Sequence, residues 1–176
     1  IYGASGWILM GDVKAGDRIA IARQVPAADQ RLRWRDDEVV LLGHLVGDGS
    51  YVSHQPMRYT TASEANSKLV EDAAVRAFGA TVNRQPGRGN WHQLVISGNG
   101  NRWHPQGVNL WLRNLGIYGQ RSHDKHLPSD VFRLANDQIA LLLRHLWATD
   151  GSIHVRKVGQ RGAPRVYFST CSERLA

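Results

Sequence analysis

Two aspartates, Asp48 and Asp150, end similar apolar segments, and each is followed by Gly-Ser. The segments are residues 41–51, LLGHLVGDGSY, and residues 143–153, LRHLWATDGSI. Two carboxylates that are brought together repel each other unless a proton or a cation lies between them. Mg²⁺ prefers oxygen ligands and commonly takes only one or two carboxylates besides water and phosphate oxygens. The pair therefore predicts a divalent-metal site that can activate water for phosphodiester hydrolysis.

A helix is predicted to position each aspartate. The first helix would be capped by Asp36 or Asp37. Within it, Gly43 and Gly47 are four residues apart and share one face, although each glycine costs the helix about 1 kcal/mol relative to alanine. Close approach of a second backbone is the usual reason for such glycines. We therefore expect the two helices to pack through an interface of Gly43, Gly47 and, from the second helix, Leu146.

The order of predicted elements repeats along the chain. A helix, an Asp-Gly pair, a hairpin and a capped helix occur once from about residue 35 and again from about residue 136. The elements predicted between and after the motif helices are a hairpin at 51–54 and 58–61, a helix from Ser63 to Phe78, strands at 80–84 and 91–97, a helix at 106–115 and a strand at 165–170. This order predicts an α+β fold of αββαββα repeats related by a pseudo-twofold axis, at about 35–117 and 136–176. The second repeat is incomplete, with Ser172 capping a helix that has only begun.

The composition favours a polyanionic partner. Lys and Arg number 22 against 15 Asp and Glu, a net charge of +7, and a surplus of this kind is typical of nucleic-acid-binding proteins. A single cysteine excludes a disulfide within the chain. No apolar run approaches the roughly 20 residues of a membrane span, and no signal peptide opens the chain. We expect a cytoplasmic monomer. The chain does not begin with Met, so we also expect it to be an excised segment of a longer protein.

The two Asp-Gly segments resemble the paired motifs of LAGLIDADG, or dodecapeptide, homing endonucleases that lie inside inteins. Residues 125–132, KHLPSDVF, are similar to the Lys-x-hydrophobic-Pro block that precedes the second motif in such inteins. Gly6-Trp7 and residues 16–20 resemble the end of an N-terminal splicing segment. The resemblance covers nearly the whole chain and is strongest to inteins of bacterial replicative DNA helicases. It implies a remnant of a splicing (Hint) domain at 1–24 and an endonuclease domain at 35–176.

The resemblance also implies site residues. Asp48 and Asp150 would ligate Mg²⁺, or another divalent cation such as Mn²⁺, with help from backbone carbonyls near Gly47 and Thr149. Lys125 would polarise water or hold a phosphate. The implied activity is site-specific cleavage of double-stranded DNA at the insertion site of the intein in its host gene.

The strands that follow each motif helix would lie in the major groove of the DNA. The candidate contacts by position are Tyr51, Ser53, Gln55, Arg58 and Thr61 in the first half and His154, Arg156, Lys157, Arg161, Arg165 and Tyr167 in the second. Because side chains alternate between the two faces of a strand, we expect only about half of these residues to face DNA.

The chain departs from the family pattern at two positions. His145 stands where the motif prefers Gly or Ala, so we expect a looser or offset helix interface there. Ala148 stands where an acidic residue is common. Two other functions stay open: a DNA-binding module that no longer cleaves, and an insert whose only property is to be spliced out.

Two further groups of residues have competing interpretations. His123, Asp124 and His126 lie close in sequence, but a zinc site usually includes cysteines or three clustered ligands, so a polar loop is favoured. The tryptophans are expected mainly in the core, with stacking of Trp91 or Trp103 on a base as the alternative.

Overall fold

Helices precede both Asp-Gly pairs in the computed structural model of the chain, which describes residues 1–21, 31–156, 159 and 163–176. The helices are α1 (Asp36–Asp48), α2 (Glu64–Phe78), α3 (Gly107–Asn114) and α4 (Asn136–Asp150). The strands are β1 (Tyr2–Gly3), β2 (Gly6–Trp7), β3 (Gly49–Ser50), β4 (Met57–Thr61), β5 (Thr81–Pro86), β6 (His92–Ser97), β7 (Gly151–His154) and β8 (Arg165–Phe168). Short 3-10 helices lie at Met10–Asp12 and Ser129–Arg133. These elements confirm the predicted α+β class.

Antiparallel strands form a four-stranded sheet in the order β3-β4-β6-β5. Along β4, Met57, Tyr59 and Thr61 are buried while Arg58 and Thr60 are partly exposed. The buried residues of the sheet join those of α1 and α2 in one hydrophobic core. The sheet therefore has an inner face that is covered by helices and an outer face that is open. Strands β7 and β8 form a separate antiparallel pair after α4.

Local sequence signals explain the ends of the helices. Ser63 begins α2, since its hydroxyl accepts the backbone N–H of Asn66 at 3.2 Å. Gly79 ends α2 with φ of 62°, a left-handed conformation that glycine adopts without strain. The predicted caps of α1 are wrong. The cap is Arg35, whose backbone N–H is bound by the Glu38 carboxylate at 2.9 Å.

Helices α1 and α4 approach each other closely through Gly43 and Gly47. A Cβ atom on Gly43 would lie 2.9 Å from the Cβ of His145 and 3.0 Å from the carbonyl oxygen of Leu142. A Cβ atom on Gly47 would overlap the side chain of Thr149. Of the looser or offset interface expected at position 145, the looser form is wrong, because the missing side chain of Gly43 makes room for His145.

The start of α4 is tied to the segment before α1 by one buried side chain. The amide of Gln138 accepts the backbone N–H of Trp34 at 3.0 Å and donates to its carbonyl oxygen at 2.6 Å. It also donates to the carboxylate of Asp36 at 3.0 Å. Since Gln138 is 1% exposed, both ends of its amide need partners, and Trp34 and Asp36 supply them.

The N-terminal segment contains short strands, whereas the C-terminal end differs from its sequence prediction. Strands in the N-terminal segment occupy 2–3 and 6–7, Gly3 forms an isolated bridge with Ile19, and the predicted element reaches past residue 21 to residues that lie outside the described ranges. Ser172 does not begin a helix, since residues 173–175 form a turn. Within the described ranges no helix is both long enough and apolar enough to cross a membrane.

Candidate active site and nucleic-acid-facing surface

Asp48 and Asp150 are the last residues of α1 and α4, and both line one cavity of about 250 Å³. Their helices meet through the glycine face, so the two C-terminal ends converge. The rest of the cavity wall is formed by Val46, Gly47, Ser122, Lys125, Ser169, Thr170, Cys171 and Leu175. The structure thus brings together the two carboxylates that the repeat singled out, with Lys125 beside them.

The cavity disfavours negative charge on Asp48. Burial is the main cause that raises the pKa of this carboxyl, the charge of Asp150 raises the pKa further, and Lys125 opposes them, with a result of about 6. The described residues supply no hydrogen bond to either carboxylate side chain. Helix C-termini are themselves partly negative. Two carboxylates without donors at two such ends make a site whose charge is suited to a cation.

Lys125 holds the C-terminal end of α1. Its ammonium donates to the carbonyl oxygens of Gly47 at 2.6 Å, Gly49 at 2.7 Å and Leu45 at 3.3 Å. The last carbonyls of a helix have no partners within the helix, and a cation there complements the helix dipole. Burial lowers the pKa of Lys125 to about 8, although both aspartates act against this shift.

The donor set fits a hard divalent cation. Asp48 and Asp150 offer carboxylate oxygens, and Mg²⁺ or Mn²⁺ can complete its coordination with water and phosphate oxygens. The part of the chain that the structure describes contains no group of three or more His, Cys, Asp or Glu side chains that could hold a metal. The carbonyl oxygen of Gly47 accepts from Lys125, so a metal there would have to share it. The Thr149 hydroxyl donates to the carbonyl of Leu146 at 2.6 Å, and ligation by the backbone carbonyl near Thr149 stays a prediction.

A buried histidine pair crosses the helix interface, and sequence reasoning missed it. His145 Nδ1 lies 3.1 Å from His44 Nε2, and His44 Nδ1 lies 3.0 Å from the Tyr59 hydroxyl. Burial, with the charge of His145, lowers the pKa of His44 to about 4. Burial also lowers the pKa of His145. The available signal was a histidine inside each otherwise apolar motif.

The shifted pKa values of Asp48 and His44 make opposite contributions to the stability of the fold between about pH 4 and 6.5. The folded-state pKa of Asp48 is raised from 3.8 to about 6, so its contribution is lost as pH rises through that window. The folded-state pKa of His44 is lowered from 6.5 to about 4, so its contribution is lost as pH falls. In EDTA, the fall in Tm from pH 7 to about pH 4.5 should be larger for Asp48→Asn than for the wild type.

Thermal unfolding of the two proteins side by side measures this difference, because every other titrating group is common to both. An equal fall in Tm would show that Asp48 titrates as in the unfolded chain.

The structure separates the predicted DNA contacts of the first half into exposed and buried side chains. Arg58 lies on the outer face of the sheet, while Ser53 and Gln55 lie in the β3–β4 turn. Tyr51 and Thr61 are buried, at 1% and 8% exposure, so their predicted places among the exposed contacts are wrong. For Thr61 the reason is register, since residues 57, 59 and 61 all point inward, whereas Tyr51 lies in the β3–β4 turn with its ring in the hydrophobic core.

The outer face contains polar residues that the sequence analysis did not select. Thr60 pairs with Gln93, whose amide donates to its hydroxyl at 3.1 Å, and Gln85 pairs with Gln93 on the other side. Asn83 stands two positions before Gln85 on the same face. Arg58, Thr60, Gln93, Gln85 and Asn83 form a surface of donors and acceptors with no carboxylate.

The second half places three predicted contacts on one face. His154 pairs with Arg165, and Tyr167 lies two residues along β8, so all three side chains share a face of the hairpin. Arg156 follows β7 and is half-buried. Lys157 and Arg161 lie outside the described residues.

Comparisons with known proteins find similar segments in larger proteins. No protein-family model matches the chain. Over 97% of its length the chain is similar to part of the replicative DNA helicase DnaB of Rhodothermus marinus, with 36% identity over 177 residues, and of Synechocystis sp., with 33% identity over 174 residues. It is also similar, with 30% identity over 176 residues, to part of the protein RecA of Mycobacterium tuberculosis. The chain spans only 18%, 20% and 21% of the lengths of these three relatives.

Proposed function

We propose that the chain is a metal-dependent endonuclease of double-stranded DNA, of the LAGLIDADG type, and that it forms part of an intein. The observation that carries the proposal is the convergence of Asp48 and Asp150 in one cavity at the ends of two helices that pack through glycine. A structural helix end has no need of a second carboxylate beside it. A metal site for phosphodiester hydrolysis does.

The comparisons support the intein part of the proposal. Segments similar to nearly the whole chain occur in a replicative helicase and in RecA, and in each case they make up about a fifth of the protein. Two differently named proteins that share one such segment are what an inserted element would produce. The pseudo-twofold arrangement of a LAGLIDADG enzyme would relate α1, β3 and β4 to α4, β7 and β8, which follow one another in the same order.

The two aspartates, Lys125 and the outer face of the sheet each have a role in the proposed function. Asp48 and Asp150 would hold the cation, which when bound supplies an activated water and charge stabilisation for the leaving oxygen. Lys125 keeps the end of α1 in place and partly offsets the charge of the two carboxylates. The outer sheet face, with Arg58 and Gln93, would contact base edges, since Arg and Gln side chains form paired hydrogen bonds with guanine and adenine.

Plasmid cleavage tests the proposal. The protein is incubated with plasmids that carry an uninterrupted gene for a replicative helicase or for RecA, in Mg²⁺ or in EDTA. We expect one double-strand break in one gene, in Mg²⁺ only. The matched control is the same plasmid with the gene already interrupted at the break, which should stay intact. Cleavage that persists in EDTA, or that is scattered along the plasmid, would overturn the proposal.

Binding without cleavage is the second candidate, and one contact favours it. The Lys125 ammonium donates to the carbonyl oxygens of Leu45 and Gly47 in α1 and of Gly49 in β3, so its three protons are directed at the backbone and not at a phosphate. A protein that binds one gene specifically, as measured by anisotropy, but leaves it uncut in both Mg²⁺ and Mn²⁺ would establish this candidate instead.

A further inference from the structure

A polar groove of about 580 Å³ lies beside the sheet, apart from the aspartate cavity. One wall is the β3–β4 turn, and the other is the loop of residues 98–106 together with α3. The lining includes His54, Asn99, Arg102, Asn109, Arg113 and Tyr118. Arg102 and Arg113 are the charged groups on this wall, and the described lining contains no carboxylate. Such a groove has the charge to receive an anionic chain.

The 98–106 loop is held rigid by its own hydrogen bonds. The Asn99 amide donates to the carbonyl of Ile96 at 2.7 Å, and its oxygen accepts the backbone N–H of Asn109 at 3.3 Å. The Asn101 side chain accepts the backbone N–H groups of Trp103 and His104, both at 2.9 Å. This loop therefore presents the side chains at its tip in a defined position, rather than as a disordered tail would.

The tip of the loop exposes an arginine stacked on a tryptophan. Trp103 is 78% exposed, and the guanidinium of Arg102 lies 5.2 Å from its ring centroid. On the same wall, the guanidinium of Arg113 lies 4.1 Å from the ring of Tyr118 and donates to Asn109 at 2.7 Å. Stacking restrains a guanidinium before any ligand arrives, so less conformational entropy is lost on binding.

The opposite wall contains an unusual backbone conformation. His54 has φ of 65°, the one positive φ of a non-glycine residue among those described. Left-handed backbone is uncommon at non-glycine residues, although histidine adopts it more often than most, and such conformations cluster at functional sites. The turn that carries His54 connects to β4, whose Arg58 faces outward, so the groove adjoins the outer face of the sheet.

We propose that this groove binds the sugar–phosphate backbone of duplex DNA, with Arg102 and Arg113 on phosphates and Trp103 as the platform that holds Arg102. The inference rests on the proposed function and extends it to a DNA contact outside the outer face of the sheet. The groove adjoins the outer face, so a duplex on the sheet would continue across the loop. Backbone contacts of this kind set the position of a protein on DNA without reading its sequence.

The test is the salt dependence of DNA binding. Anisotropy gives the Kd of the protein for two fluorescein-labelled duplexes of unrelated mixed sequence, each about 30 base pairs long, over a series of NaCl concentrations. Arg102→Ala removes one phosphate contact, so the slope of log K against log salt should fall by about 0.9 on both duplexes. Trp103→Ala keeps every charge and should weaken binding about two- to fivefold, with little change in slope.

The controls separate this inference from the proposed function. Lys68→Ala removes one positive charge from α2, on the covered side of the sheet, and should leave the slope unchanged. If the wild type shows no salt-dependent binding to duplex DNA, both the proposed function and the proposed role of the groove are refuted. If the wild type binds and Arg58→Ala weakens binding while Arg102→Ala changes nothing, the proposed function stands and only the proposed role of the groove is refuted. Weakening by Arg102→Ala on only one duplex would also refute it, since that is the behaviour of a base contact.

Discussion

Asp150→Asn and Asp48→Asn should each abolish Mg²⁺-dependent cleavage while leaving the protein folded. Each substitution keeps the shape of the side chain and removes one of the two carboxylates in the cavity. A bound metal supplies several kcal/mol of transition-state stabilisation, so loss of one carboxylate should lower the cleavage rate by more than about 100-fold. Asp48 is held in a cavity that raises its pKa, so Asp48→Asn should not lower the Tm at neutral pH in EDTA.

Single-turnover cleavage, DNA binding and Tm should be measured on the same preparations. Glu71→Gln is the matched control, because it removes an exposed carboxylate from α2 and should retain full activity. If either aspartate variant cleaves at the wild-type rate, the two-carboxylate site is not the catalytic centre. A variant with both a lower Tm and a loss of cleavage would indicate misfolding. Retained DNA binding with a loss of cleavage assigns the defect to the chemical step.

Gly47→Ala should destabilise the protein even though alanine favours helices. The added Cβ atom would overlap the side chain of Thr149, whose Cβ atom would be 2.5 Å away. Overpacking of this kind costs about 1–3 kcal/mol, which exceeds the gain in helix propensity of about 1 kcal/mol. At about 2–4 °C per kcal/mol for a chain of this length, the Tm should fall by several degrees. The ends of α1 and α4 would also move apart, so metal-dependent cleavage should fall.

A double-mutant cycle identifies the cause. Thr149→Ala removes two of the three atoms nearest to the added Cβ, so Gly47→Ala should cost less on that background than in the wild type. Gly11→Ala is the control glycine, because nothing lies within 4 Å of its added Cβ, and it should leave the Tm unchanged. An undiminished Tm in Gly47→Ala would mean that the helices are not in contact at this residue.

Much of the fold could be predicted because its signals are local. Ser63 and Gly79 mark the two ends of α2, since a capping hydroxyl and a left-handed glycine act within a few residues. The paired Asp-Gly segments predicted two similar helix ends. Gly43 and Gly47 predicted close packing, because two glycines in one helix need a compensating contact.

The features that were not predicted depend on distant residues. The inward position of Thr61 follows from strand register, which depends on the length of the turn and on the partner strand. The burial of Tyr51 depends on how the β3–β4 turn packs against the hydrophobic core. The contact of Lys125 with the carbonyls of α1 joins residues about 80 positions apart. The bond between His44 and His145 exists only because α1 and α4 cross at this level. Contacts between such distant residues cannot be predicted from the composition and spacing within one segment.

The pairing of α1 with α4 also determines when the aspartate cavity can exist. The contacts that hold these helices together, from Trp34–Gln138 to His44–His145, join residues more than 100 positions apart. At a synthesis rate of about 5–20 residues per second, the second aspartate is made about 5–20 s after the first. A carboxylate pair therefore cannot form on a half-made chain, and the site is assembled only after both α1 and α4 have left the ribosome.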